Sequence, residues 1–188
     1  MATVTRDGVL ALIERGDGDL NRLDLSGLDL HSVDFHGAKL RHTDLSGANL
    51  RRADLSRADL RAADLRRADL EEARLVHADL CGAKFNEARL SVADLTHAAL
   101  IGADLRRADL TGAYLIHADL TAADLSEAEL YGAQMNGARL RVANLEGAGL
   151  AGAFLDHATF EGARITEDQL AGGGSLVGVI LPDGRKHA

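Results

Sequence analysis

The sequence predicts an all-β solenoid, a chain wound into a rod. Three observations predict it. An apolar residue stands at every multiple of five from Leu20 to Ile165, thirty centres with no slip of phase. The residue two before each centre is Ala without exception from Ala48 to Ala163. Five is also the period of neither regular element. With a centre written i, a step of five on an α-helix turns the side chain by about 140° net, which scatters the leucines over every side. On a flat strand the same step reverses the face. Within one unit the pattern is strand-like, with i−2 and i on one side and i−1 on the other. Short extended pieces must therefore alternate with turns of one hand, which brings i and i−2 inside.

The rest of the composition agrees. Of 188 residues, 46% are hydrophobic, only 3% aromatic and none Trp, so Leu and Ala must build the core. Gly occupies eleven of the i+2 positions, as corners needing unusual φ would favour. Pro occurs once, outside the array, since it would break a ladder between coils. Both ends of such a rod expose unpaired edges and need covers. In residues 1–17, Val9, Leu10, Leu12 and Ile13 are spaced as one face of a short capping helix, with Gly16 as its stop. Residues 166–188 read as a C-terminal cap. There "TEDQLAGGG" forms a helical turn with Thr166 as N-cap, and "SLVGVILPDG" a last strand closed by a Pro-Asp-Gly turn.

"ADLRRADL", "ADLTGAYL" and "ANLEGAGL" resemble the pentapeptide repeat family, whose consensus is Ala-(Asp/Asn)-Leu-x-x. The resemblance covers about residues 18–165. It implies a right-handed quadrilateral β-helix with four units per coil, so that residues 20 apart stack. Thirty units would then make a rod ~36 Å long at a ladder spacing of ~4.8 Å.

With i and i−2 inside (Leu105, Leu110, Leu115 and Leu120 among them), chemistry is left to i−1, i+1, i+2 and the caps. Three sets stand out in columns 20 apart. His77, His97 and His117 form one, read either as a metal site or as a stacked surface ladder, the ladder being preferred because zinc needs ring nitrogens within about 2.1 Å of one ion. Asp24, Asp44, Asp64, Lys84, Asp104 and Asp124 form a second column, and Asp29, Asn49, Asp69, Arg89, Asp109 and Glu129 a third. These acids serve either as turn acceptors or as a phosphate-like array, since DNA phosphates are 3.4 Å apart along a strand. Arg51, Arg52, Arg57, Arg61, Arg66 and Arg67 fall within one coil, a ring read either as a site for a phosphate or an acidic partner or, the preferred reading, as a solvated belt that pairs with Asp at i−1. Cys81 is the single cysteine, which excludes an internal disulfide and suits a reducing compartment.

No catalytic triad, phosphate-cradling loop or metal motif is present, so no enzyme activity and no cofactor are expected. A net charge of −8 argues against direct nucleic-acid binding. No membrane segment or signal peptide is read, and the expected location is cytoplasmic. The resemblance extends to the gyrase-directed Qnr and MfpA types. It implies a DNA-mimicking protein partner of DNA gyrase or another type II topoisomerase, in antibiotic resistance or self-protection, with Asp104, Asp109, Asp124 and Glu129 as contact residues. The alternative is a protein-interaction scaffold with another partner. The hydrophobic helix that makes the dimer in those types is not read in "SLVGVILPDGRKHA", so the expected state is a monomer or an end-to-end homodimer through residues 176–181.

Overall fold

In the computed structural model, which describes residues 4–15 and 19–187, the array winds into a rod whose coils pair through parallel bridges. Every bridge from Asp19↔Lys39 to Asn144↔Arg164 joins residues 20 apart, so four units make one coil. Each unit has a wall, i−2 to i, and a two-residue corner, i+1 and i+2. Only i−1 of each wall is bridge-paired. The walls are too short to be continuous strands, and the β character is a ladder of single bridges. The described residues also form two helices, α1 (Arg6–Glu14) and α2 (Glu167–Ala171).

All five backbone N–H groups of a unit can be traced. The N–H of i donates to the next coil, as Leu25 does to the Asp44 carbonyl at 2.7 Å, and so does that of i+2, as Gly27 to Ser46 at 2.9 Å. The N–H of i−1 donates to the preceding coil, as Asp44 to Leu23 at 2.9 Å, and that of i−2 closes the corner, as Ala48 to Leu45 at 3.0 Å. The N–H of i+1 remains. It is taken by the side chain at i−1 in each of the seventeen units with Asp or Asn there, at 2.9–3.4 Å. Aspartate in the repeat is thus first a turn acceptor.

The corner residue i+2 is left-handed in every unit from Arg22 to Gly162, in eighteen non-glycine residues as well as eleven glycines. With the i+3 N–H bonded to the i carbonyl, this is the type II turn, which needs positive φ at its third residue. Inside, the leucines meet on the axis. Leu105, Leu110, Leu115 and Leu120 are at most 1% exposed, and Phe35, Phe85 and Phe160 are buried with them.

Both ends are covered. Thr5 caps α1 by accepting from the Gly8 N–H, and Val9 is fully buried, with Leu10, Leu12 and Ile13 packed on the core. Arg6 donates to the Asp29 and His31 carbonyls at 2.8 and 3.1 Å, acceptors that an earlier coil would otherwise have used. The proposed stop, Gly16, lies outside the described residues. At the other end Thr166 and Gln169 form a reciprocal capping box on α2. The Gln169 amide then donates to the Leu145 and Ala148 carbonyls at 2.7 and 2.9 Å. The helix adds one residue to the last coil, so Phe154↔Ser175 and Thr159↔Ile180 are 21 apart. A turn at Pro182, Asp183 and Gly184 then reverses the chain, and Ile180 pairs antiparallel with Lys186.

The corner geometry is open to a paired test. Gly102 has φ +64° and a Cβ there would meet nothing, so Gly102→Ala adds only backbone strain. Ala122 holds φ 57° with a Cβ already present. Thermal melts should show Gly102→Ala destabilised and Ala122→Gly stabilised, each by ~0.5–1 kcal/mol, the left-handed cost less the unfolded-state entropy of glycine. Shifts of the same sign in both variants would refute the corner assignment.

Candidate functional site

The four acids singled out in the sequence sit on two adjacent walls, Asp104 bridged to Asp124 and Asp109 to Glu129. Between those walls runs a corner that carries Arg106 and Arg107. Arg106 grips Asp104 through Nε at 2.8 Å and Nη2 at 2.7 Å. That hydrogen bond chiefly holds the Asp104 carboxyl below its ordinary value. Arg107 pairs with Glu127 at 2.8 Å. Asp109 accepts from the Ser91 hydroxyl at 2.6 Å and the Thr111 N–H at 2.9 Å. Burial pushes its carboxyl up, but these bonds outweigh it and the net displacement is downward. Asp124 accepts from Ser126 and from the Asn144 amide at 3.0 Å. Glu129, one methylene longer than Asp, makes no turn bond. The acids are therefore brought near one another, but as a lattice of alternating sign.

The corner itself shows the alternation most clearly. Arg67, Glu87, Arg107 and Glu127 follow one another at 20-residue steps, with Arg67 on Glu87 at 2.9 Å. This ladder was readable in the sequence as a column at i+2. Arg61 and Arg66 pair with the Asp of their own wall, at 2.8 and 2.6 Å, as expected of the belt. Arg51 and Arg52 differ and reach to Glu71 and Glu72 of the next coil. Arg89 bonds Asp69 and Glu71 at 3.1 and 3.0 Å, a cation set among acids. A shallow surface groove of about 570 Å³ lies over Ser46, Arg66, Arg67, Asn86 and Arg106.

The histidines form a stack. Ring centres of His77 and His97 are 5.0 Å apart at 8°, and those of His97 and His117 are 5.2 Å apart at 16°. Lone pairs lie in the ring planes, so nearly parallel rings cannot aim two nitrogens at one ion. No group of three metal-ligating side chains is found among the described residues. The His117 ring leans over Gly137, where a Cβ would stand 2.3 Å from Nδ1, so glycine is required for the ring's position. Cys81 is half-buried, and burial above all pushes its thiol up to about 11, which leaves little thiolate at neutral pH. No helix among the described residues is long and apolar enough to cross a membrane.

Comparison with known proteins adds the family. The profile of pentapeptide repeats matches, in eight copies, over residues 17–47, 40–75, 73–112 and 103–141. The chain belongs to the pentapeptide repeat family. Its architecture is accordingly a right-handed β-helix solenoid. Among solved structures, trypsin-treated QnrB1, a plasmid-mediated fluoroquinolone resistance protein, is 20% identical with a TM-score of 0.62, over 86% of each chain. HetL, a pentapeptide repeat protein involved in heterocyst differentiation regulation from the cyanobacterium Nostoc sp. strain PCC 7120, is 30% identical over 98% of this chain and 100% of its own, with a TM-score of 0.41. A search of curated proteins returned no significant match.

Two predictions follow from this pentapeptide repeat surface. The carboxyls of Asp64 and Asp104 are lowered, first by Arg66 and Arg106 respectively. A lowered folded pKa contributes stability that is present above the unfolded value and is lost as pH falls through the folded one. Thermal midpoints should therefore be level above about pH 5 and fall below about pH 4. The double variant Asp64→Asn, Asp104→Asn, which keeps the turn acceptors, should fall less steeply; an unchanged slope would refute the assignment. Zinc should leave the midpoint unchanged. A saturable, sub-micromolar zinc isotherm lost in His97→Ala would overturn the stacked-ladder reading.

Proposed function

We propose that this pentapeptide repeat protein is a non-enzymatic rod that acts by contact of its outer walls with a protein partner. The observation that carries this reading is the filled axis. Every centre from Leu20 to Phe160 is at most 2% exposed, so the rod interior offers no room for a substrate, and side chains with chemical variety all lie outside. Repeat solenoids present extended, rigid surfaces of this kind to partners. A photo-crosslinking residue placed on each of the four walls, in cells, tests it. A partner protein joined to one wall supports the reading; the absence of any crosslinked protein from all four walls overturns it.

A narrower reading takes a type II topoisomerase such as DNA gyrase as the partner, with Asp104, Asp109, Asp124 and Glu129 as contacts in the manner of DNA phosphates. Its support is the likeness of fold to QnrB1 over 86% of each chain and the acidic excess of residues 71–188, with 17 Asp and Glu against 10 Lys and Arg. The alternation of sign around Arg106 and Arg107 weighs against a continuous DNA-like face, and for this reason the general reading stands first. Gyrase supercoiling with and without a quinolone decides between them. On the topoisomerase reading, the wild type inhibits supercoiling or protects the enzyme at micromolar concentration, less so at high salt. Changing the four acids to Lys abolishes the effect with the fold intact. A wild type without either effect removes the topoisomerase and leaves the scaffold.

A further inference from the structure

The wall that ascends through Asp94, Tyr114, Gln134 and Phe154 differs from the other three. Its outward residues are bridged one to the next at 20-residue steps as far as Phe154, which pairs with Ser175 of the cap. Over three consecutive coils the usual Asp is replaced by Tyr, Gln and Phe, and these units forgo the side-chain bond to the corner N–H that all seventeen Asp and Asn units make. Nothing in the fold accounts for that exchange. Tyr114 is 36% and Phe154 47% exposed. The corner leading onto the wall is made by Gly112, Gly132 and Gly152, and a Cβ on Gly132 or Gly152 would meet no atom within 4 Å. The other residues of that corner are Thr111, Tyr131 and Ala151; Tyr131 is 49% exposed, and its ring lies over Gly149 of the neighbouring wall. Between Asp94 and Asp156, this wall and its two corners hold no Asp, Glu, Lys or Arg, in a chain that is 27% charged.

We propose that the wall bearing Tyr114, Gln134 and Phe154 is a docking shelf for a proline-rich segment of a partner protein, with a basic residue of that segment on Asp94. The inference rests on the scaffold reading above and names the partner's chemistry. Tyr114 and Phe154 are two ladder steps apart, about 9.6 Å along the rod. A polyproline II helix returns to the same face every three residues, about 9.3 Å. Successive turns of such a helix laid along the rod would thus meet the two rings in register. Aromatic surfaces are the usual seats of this conformation, which binds with little loss of entropy because it is already extended. Its backbone carbonyls have no internal donors; Gln134, on the coil between the two rings, and the Tyr114 hydroxyl are side chains able to donate to them. Charge complementarity sets the direction. The Asp94 carboxylate accepts from the Thr96 N–H at 3.0 Å, and no ion pair to it is found among the described residues. At the far end Asp156 is engaged by Ser175 and by the Val177 N–H at 3.0 Å. A second copy of the chain fits less well. The uncharged strip is about 14 Å long, three ladder steps, too small to bury the roughly 800 Å² per partner of a stable dimer.

The test is fluorescence anisotropy of a labelled Arg-Pro-Pro-Leu-Pro-Pro-Leu-Pro-Pro peptide against the full chain. Saturable, sub-millimolar binding is expected. The double variant Tyr114→Asp, Phe154→Asp should weaken it at least about tenfold, equivalent to ~1.4 kcal/mol. These changes restore the residue most common at i−1, so the fold should hold, as a thermal melt of the variant checks. Asp94→Asn should weaken binding and flatten its dependence on salt. No saturable binding at about 1 mM peptide, equal binding by the double variant, or equal binding of a Gly-Ser peptide with the same Arg overturns the shelf. So does binding of a neutral oligosaccharide in the peptide's place. If the shelf fails while wall crosslinks to a partner persist, the scaffold reading stands and only the partner's chemistry is wrong.

Discussion

The left-handed corner at every fifth residue is the constraint on which the rod depends. It turns the chain, limits each wall to three residues, and so brings residues 20 apart into one ladder. For a residue with a Cβ the conformation costs about 1–2 kcal/mol. Each turn also carries one Leu-type centre and one small residue to the axis, and full burial of a leucine is worth about 1.5–3 kcal/mol. The corner is therefore tolerated with Arg, His, Glu or Val in place of glycine, because the turn delivers the burial. That tolerance explains a surface that is varied at i+2 above a core that scarcely varies at all.

The same accounting fixes the meaning of the acids. Three N–H groups of a unit serve the ladder and one closes the corner, which leaves the i+1 N–H to the side chain at i−1. Asp and Asn reach it; Glu129, Arg89 and Tyr114 do not. An Asp in this array is explained by the backbone before any partner is considered, and an outward residue that gives up this bond is the more informative one. Charge then distributes by stacking. Arginines one coil below glutamates, as Arg67 below Glu87 and Arg107 below Glu127, convert an acidic composition into local neutrality.

Much of this was legible in the sequence, for physical reasons that can be named. The period of five separates Leu105 from Asp104 without any structure, because a buried leucine and an outward aspartate cannot exchange places. Thr166 is an N-cap by type and place alone, whereas the reciprocal bond from Gln169 came to light only in the structure. The four-unit coil was carried by the family resemblance, since nothing in a five-residue repeat states how many turns close a circuit. The extra residue in the last coil was hidden, because "TEDQLAGGG" does not tell how much chain a helix absorbs. Arg106 and Arg107 lie in plain view in the sequence, yet their place between the two acidic walls emerges only when corner and wall are assembled together.

Because one circuit holds four units, the length of an insertion determines what it does to the surface. Twenty residues would lengthen the rod by one step of ~4.8 Å and leave each wall continuous with itself. Five residues would turn all that follows by a quarter of a circuit, so that the face with Tyr114 and Phe154 would no longer continue the face with Asp54 and Arg74. A chain of this kind can grow by whole circuits with its surfaces conserved, or by single units with its distal half dialled to a new bearing, while the core remains equally well filled in either case.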